Sequence, residues 1–428
     1  MRAKDEVANT GPDKAQASLR RGCGGGRPPL QTVLPALCVT EIVSWGVLYY
    51  AFPVLAPQIS QETGWSSPAV AAAFSGALIV SALAGIPLGR ALDRRGPRKI
   101  MTGGSLLAAP AVVAVALAPN LPLFIIAWLV CGLAMSATLY PPAFAALTGW
   151  FDGPQRMRAL TTVTLVAGLA STVFAPLTAT LAHHMSWRTT YLILAGVLAA
   201  VTVPLHALCL RAPWPARSGE AAADLDAAAA RRPESAVART RPFLILGLSM
   251  ALASFAFAAA VVATVPLLTN RALSSEAAAW ALGLGGVGQV LGRLGYAALI
   301  RRVGVRARIV LAYSLGGLTT LALGIAPGPV PLLIAASMAA GAVRGVATLL
   351  QATAITDRWG AQSYGALSGL LSAPAVAATA LAPWAGAALA TLLGGYPALF
   401  ALLAAFLGSA AVLAAGSVPG KKTRLPDR

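Results

Sequence analysis

Uncharged apolar runs recur along this chain at a spacing that leaves room for little else. Ala71 to Leu88, Tyr191 to Leu210 and Ile309 to Ala326 each lack Asp, Glu, Lys and Arg. A helix needs roughly 20 apolar residues to cross about 30 Å of hydrocarbon, so such runs read as membrane spans. One run could be a signal or an anchor; a dozen cannot. Lipid offers no hydrogen bonds to the backbone, which must satisfy its own as helix. Composition agrees. Of 428 residues, 57% are hydrophobic and 11% charged, against roughly 25% charged in soluble domains.

Twelve spans are predicted, at 33–57, 67–92, 98–118, 121–147, 157–183, 188–210, 242–269, 276–300, 305–326, 330–356, 362–390 and 395–416. The chain then divides into a tail, 1–32, a first set of six spans, 33–210, a link, 211–241, a second set, 242–416, and a tail, 417–428. Residues 1–32 carry basic, acidic and Gly-rich stretches without an apolar core, and so read as a tail rather than a signal peptide. The net charge of +18 would suggest nucleic acid in a soluble protein. Here it follows from topology. Of 32 Lys and Arg, 28 fall in or beside segments that alternation places on one side, leaving Arg188 and Arg271 opposite and Arg293 and Arg344 within spans. Basic loops stay cytoplasmic, so both termini and the 211–241 link are expected inside a plasma (inner) membrane.

The two sets of spans repeat. A shift of 209 residues places Pro57 on Pro266, Gly132 on Gly341 and Trp150 on Trp359; 208 places Gly96 on Gly304, and 207 places Pro176 on Pro383. Cys23, Cys38, Cys131 and Cys209 show neither metal spacing nor a paired framework. No nucleotide loop of the Gly-x-x-x-x-Gly-Lys-Ser/Thr type occurs, so no cofactor and no enzymatic activity are expected, and gradients would drive any transport. His183, His184 and His206 lie near span ends, where a solvated or interfacial histidine is expected. Tyr140 with Pro141-Pro142 could line a cavity or kink span 4.

After span 2 comes Gly89-Arg-Ala-Leu-Asp93-Arg94-Arg95-Gly96-Pro-Arg98-Lys99. Gly96 allows a tight turn, and the basic residues hold the loop at the inner face. The run resembles the loop signature of the major facilitator superfamily, and the parallel repeat of six spans is the architecture of that superfamily. The resemblance implies an all-α membrane protein of twelve transmembrane helices in two six-helix bundles, the major facilitator fold. It further implies that Gly89, Asp93, Arg94, Gly96 and Arg98 form a gate. Asp93 would close the cytoplasmic side by pairing with Arg156, Arg158 or the start of span 11. The second copy, Arg301-Arg302-Val303-Gly304, places Arg301 where Asp93 sits.

Setting aside His, Tyr and Cys, Glu41, Arg293 and Arg344 are the ionisable residues well inside spans. Each costs at least roughly 2.5–3.5 kcal/mol at a helix centre, so each needs a partner or a wet cavity. A structural ion pair between helices is the plain alternative to a functional role. The resemblance implies that spans 1, 4, 7 and 10 line a central cavity. Glu41, Trp45 and Tyr49 recur every fourth residue on span 1, as do Arg344 and Thr348 on span 10 with Gln351 nearby, so each set shares a face. The repeat-related residues, Met250 for Glu41 and Met135 for Arg344, are uncharged. The charges are therefore not part of the shared scaffold.

Drug/proton antiporters of the superfamily carry Arg four residues before a span 4 Gly and a Gly-Pro-x-x-Gly-Gly run in span 5. Here Trp128 precedes Gly132, and Ala175-Pro176 keeps only the proline. Tyr50-Ala51-Phe52-Pro53 and Gln289-x-x-x-Arg293 are similar to runs of the monocarboxylate-porter and oxalate/formate-antiporter branch. That resemblance implies an anion held by Arg293, with the Lys and Asp of proton coupling missing. The sequence is thus expected to encode a monomeric secondary transporter for a small organic anion. Arg344, Arg293, Trp45, Tyr49, Gln289 and Gln351 would bind the anion and Glu41 would carry the proton. Efflux of amphipathic cations, with Glu41 as the binding group, stays open, as does a non-transporting sensor.

Overall fold

The computed structural model describes residues 30–151, 153–214, 237–359 and 364–417. Both tails, apart from their innermost residues, and most of the 211–241 link lie outside the described residues. So do Cys23 and the side chain of Asp93.

Span 1 comprises Leu30–Trp45, a π-helical turn Gly46–Tyr50, and Ala51–Thr63. It runs past the predicted end at residue 57, because a proline such as Pro57 is tolerated inside a packed membrane helix. Gly64, at φ 72°, ends it. Spans 2 and 3 are Ser67–Arg95 and Pro97–Leu117. Between them Gly96 takes φ 75°, a left-handed conformation that favours glycine. Its repeat partner Gly304 has φ −67°, so the second turn does not need its glycine for conformation.

Spans 4 and 5 are each broken, which the sequence reading did not anticipate for span 5. Span 4 is Leu121–Thr138 followed by Tyr140–Trp150, with Leu139 extended between them. Pro141 and Pro142 lack the N–H groups that would continue the first segment but suit the start of a new one. Span 5 is Gly153–Ala167 and Ala170–His184 around Gly168-Leu169. Spans 6 to 9 are Trp187–Cys209, Arg241–Thr269, Ser275–Arg302 and Val305–Ile325. Val330–Thr353 is span 10, Thr356–Trp359 a short helix after it, and Tyr364–Leu392 and Tyr396–Ala415 are spans 11 and 12.

Among the described residues, 11 helical stretches are long and apolar enough to cross a membrane. The exception among the twelve spans is span 8. Its six glycines, with Gln289 and Arg293, lower its hydropathy, and it is sheltered by spans 5 and 10. Leu83, Ile86, Leu318 and Val412 are strongly exposed. An apolar surface of this kind is a liability in water and the expected face of a multi-pass membrane protein toward lipid.

The repeat is visible in the packing. Span 2 packs on span 4 as span 8 does on span 10; span 3 packs on spans 4 and 6 as span 9 does on spans 10 and 12. Gly132 and Gly341 do the same job in the two halves. A Cβ at Gly132 would lie 2.2 Å from the carbonyl oxygen of Ala77, and one at Gly341 would lie 1.9 Å from that of Gly285. Small residues let membrane helices approach backbone to backbone. The halves meet where span 5 packs on span 8 and span 2 on span 11. Thr172 donates to the carbonyl of Gly283 at 2.8 Å, and the Trp384 N–H to Ser75 at 3.0 Å.

His206 is a correction to the sequence reading. It is fully buried rather than solvated, with Nδ1 2.7 Å from the Ser105 hydroxyl of span 3. Span 6 keeps its last turn packed on span 3, so nearness to a span end did not mean nearness to water.

Candidate functional site

A cavity of about 480 Å³ lies between the two bundles. Span 1 contributes Trp45, Tyr49 and Tyr50, span 4 Tyr140, and span 7 Ser254 and Phe257. Span 8 supplies Gln289 and Arg293, and span 10 supplies Arg344, Thr348 and Gln351.

The local folding of each wall can be traced to its residues. In span 1 the Ala51 N–H reaches back five residues to the Gly46 carbonyl, and this widened turn is the π segment. A regular helix would turn Tyr50 about 100° away from Tyr49; both rings line the cavity. Gly46 lies against the ring of Phe174 from span 5, whose atoms come within 2.2 Å of where a Cβ would be. The aromatic rings then close on one another. Trp45 lies 4.9 Å from Tyr140 and 5.3 Å from Tyr49 between centroids, and Tyr49 lies 5.1 Å from Tyr50. Tyr140 thus both lines the cavity and opens the second segment of span 4.

The opposite wall is set by glycines. A Cβ at Gly288 would lie 2.0 Å from the Met338 carbonyl, at Gly292 2.0 Å from that of Ala342, and at Gly345 2.1 Å from that of Gln289. Spans 8 and 10 therefore form one tightly packed slab, fixing Gln289 and Arg293 relative to Arg344 and Gln351.

The charge distribution is one-sided. Arg293 and Arg344 line the cavity, and no Asp or Glu does among the described residues. Neither arginine forms an ion pair among the described residues, where the one ion pair joins Arg308 to Asp357. Arg344 lies close enough to Tyr49, Tyr50 and Arg293 to interact electrostatically with each. Arg293 donates through Nη1 to the carbonyl of Thr164, while its buried Nε has no partner among the described residues. Glu41 is not on the cavity wall with Trp45 and Tyr49, although a regular helix would place all three on one face. It is fully buried behind them. Its Oε2 accepts from the Trp45 indole N–H at 3.0 Å, and its Oε1 has no partner among the described residues. Among the described residues, Trp45 is therefore the one side chain that both touches the carboxyl by hydrogen bond and lines the cavity.

Gly89, Arg94, Gly96 and Arg98 stand apart from this cavity, at the basic ends of spans 2 and 3. Gly89, Arg94 and Arg98 are exposed; Gly96 is buried beneath Trp214, whose Cβ comes within 3.0 Å of where a glycine Cβ would sit. Arg98 donates to the Ala207 carbonyl at 2.9 Å, within its own half. Asp93 sits on the last turn of span 2, and its pairing falls outside the described side chains. Arg156 donates to the Phe151 carbonyl at 3.1 Å.

The sequence reading missed Tyr313 and Thr379 as cavity residues, and used Tyr50 only for its resemblance. Tyr313 carried one usable signal, as the lone aromatic residue of span 9. It also missed a basic-face cluster. Arg308 meets Asp357 at 3.2 Å, Thr353 donates to the same carboxylate at 3.0 Å, and the Tyr296 hydroxyl lies 2.9 Å from Thr353. This links spans 8, 9 and 10 outside the cavity.

Residues 37–329 match the model of the Major Facilitator Superfamily. The chain belongs to that superfamily. As a major facilitator it is a multi-pass membrane transporter by family, and solved structures of such transporters share its fold. A bacterial homologue of the human lysosomal transporter Spinster, in an inward-facing and occupied conformation, superposes with a TM-score of 0.72 at 15% identity, over 92% of this chain and 97% of that one. A D-xylose–proton symporter superposes with a TM-score of 0.72 at 12% identity, over 92% of this chain and all of that one (100%). By sequence, an uncharacterised 38 kDa protein from the 23S RNA operon of Thermoproteus tenax is 33% identical over 168 residues. The match spans 39% of this chain and 44% of that relative, less than half the length of either.

Proposed function

We propose that this major facilitator is a secondary active transporter that carries a small organic anion, monocarboxylate-like, by alternating access and in exchange with or alongside protons. One observation carries the reading: two arginines without acid partners among the described residues face a single cavity between the bundles. Bringing an anion into such a cavity costs several kcal/mol unless a fixed cation receives it. Arg344 is the primary anion receptor in this reading, with Arg293, Gln289 and Gln351 beside it. Trp45 and Tyr49 take the apolar part of the cargo. Glu41 is the proton carrier, reached through Trp45. The basic face is cytoplasmic, and Asp93 with its neighbours gates it.

The rings of Trp45, Tyr49, Tyr50 and Tyr140 favour a second reading, since aromatic faces also receive cations. Amphipathic-cation efflux would then use that wall. The two arginines oppose it by charge, and Glu41 lies behind the wall rather than on it.

Purified protein in proteoliposomes separates the two. Uptake of radiolabelled monocarboxylates is expected, with Arg344→Lys losing much of it and Arg344→Gln nearly all, because lysine cannot reproduce the bidentate fork. Transport of lipophilic cations that survives Arg344→Gln and fails with Glu41→Gln would install the efflux reading instead.

A further inference from the structure

A second concave site lies well away from the cargo cavity. It is a groove of about 620 Å³ at the basic face, between the ends of spans 3 and 6. Arg95, Arg98, Lys99 and Arg211 line it, and no Asp or Glu does among the described residues. A cytoplasmic loop needs basic residues only somewhere near the membrane; it does not need four of them around one concavity. The Nε bond from Arg98 to the Ala207 carbonyl spans the floor of the groove. It orients that guanidinium, whose terminal nitrogens take no protein acceptor among the described residues. Trp214 closes the end of the groove, held by its edge-on contact with Trp150, 5.7 Å between centroids. Tryptophan, like tyrosine, is enriched at the level of lipid headgroups.

The remaining wall is apolar and faces outward. Gly103 and Leu106 of span 3 line it, Leu106 is 58% exposed, and the neighbouring Leu208 of span 6 is 56% exposed. The groove therefore joins a cluster of cations at headgroup depth to a greasy track running into the bilayer. That combination is wrong for a soluble anion, which has no use for the track. It is also wrong for a zwitterionic lipid, whose own cation would meet four others.

We propose that this groove is a binding site for an anionic phospholipid, with the headgroup phosphate held by Arg98, Lys99 and Arg211 and an acyl chain laid along Gly103 and Leu106. The site is independent of the cargo. Its occupant bridges the loop between spans 2 and 3 to the first residues after span 6, and so braces the segment that holds Gly96.

The test uses the full-length protein in detergent, titrated with phosphatidylglycerol, phosphatidylcholine or inorganic phosphate while thermal stability is followed. Phosphatidylglycerol is expected to raise the melting temperature and the other two to leave it unmoved. Lys99→Gln with Arg211→Gln should weaken the phosphatidylglycerol effect on the order of tenfold, since each basic group near an anionic surface contributes separately. Arg301→Gln with Arg302→Gln removes the same charge from the same face and should change little. Gly103→Phe supplies the second arm. A Cβ there would meet nothing within 4 Å, so the position opens away from the packed interior; a ring added there should fill the acyl track and also weaken the lipid effect. The proposal is overturned if phosphate alone matches the lipid, if the wild type shows no preference for phosphatidylglycerol, if the Arg301/Arg302 pair matters as much, or if Gly103→Phe has no effect.

Discussion

Arg293 of span 8 gives a hydrogen bond to the main-chain carbonyl of Thr164 in span 5, so a side chain of the cargo cavity also ties one bundle to the other. The acceptor lies just before the break at Gly168-Leu169. Gly168 leaves room for the guanidinium, whose Nη1 would lie 3.2 Å from a Cβ at that position. Under the proposed function, an anion arriving in the cavity would compete for the same group, giving binding a direct route to bundle movement.

Replacing Arg293 is therefore expected to change conformation as well as affinity. Arg293→Gln cannot reach both Thr164 and the cavity. A cysteine placed at Thr161 or Thr348 should then react faster with a water-soluble maleimide. Substrate affinity should fall on the order of tenfold, the worth of one charge-assisted hydrogen bond. Unchanged labelling with reduced affinity would reduce Arg293 to a plain binding residue.

The slab of spans 8 and 10 supports a stability prediction. At Gly341 the added Cβ of alanine would meet a main-chain oxygen at 1.9 Å, and main chain cannot swing aside. Gly341→Ala should cost roughly 1–3 kcal/mol, the usual range for overpacking. Gly132→Ala, at the matching place in the first bundle, should cost a similar amount. Gly295→Ala, with nothing within 4 Å, is the control and should be neutral in a thermal-unfolding assay.

The sequence was informative where periodicity and hydropathy act locally, and silent where a side chain's surroundings depend on a distant segment. Span count, the repeat and the three intramembrane charges were legible because each follows from what lipid tolerates. Glu41 and Trp45 share a face of the regular helix Leu30–Trp45 and hydrogen-bond there, yet only Trp45 and Tyr49 reach the cavity, a difference in depth that helical periodicity does not encode. Gly46, which opens the π turn Gly46–Tyr50, lies against Phe174 of another span, a contact that no local pattern announces. The break in span 5 was hidden because Gly168 is one of many glycines in the chain. Arg308 and Asp357 are 49 residues apart, and only the folding of span 9 against span 10 brings them together.

Topology can be checked without knowing the cargo. The described basic residues at span ends gather on one face, with Arg188 and Arg271 opposite. In a cysteine-free background, Leu225→Cys in the 211–241 link should resist an impermeant maleimide on intact cells and react in inverted vesicles. Labelling from outside would reverse the proposed orientation.

The gate makes a separable prediction. If Asp93 stabilises the state closed at the basic face, Asp93→Asn should impair flux while leaving cargo binding intact. It should also raise the reactivity of a cysteine at Thr348. Normal flux and normal reactivity would leave Asp93 an ordinary loop residue.

Glu41 gives the sharpest outcome because its replacement can be nearly free of structural change. Burying a carboxylate without a cation is costly, and neither arginine of the cavity reaches it. The carboxyl accepts the Trp45 indole N–H through one oxygen and leaves the other unpartnered. Glutamine has the same shape, and its amide oxygen can accept the same indole bond. Glu41→Gln therefore keeps the packing behind Trp45 and removes only the capacity to take up and release a proton. Exchange of cargo across the membrane of proteoliposomes should persist near the wild-type rate, while accumulation driven by a pH gradient should disappear. Trp45→Phe separates the two roles of that side chain. It keeps an aromatic wall for the cargo but removes the indole donor, so coupling should weaken more than binding. If Glu41→Gln accumulates cargo against a pH gradient as well as the wild type does, the proton travels elsewhere and Glu41 is a structural partner of Trp45.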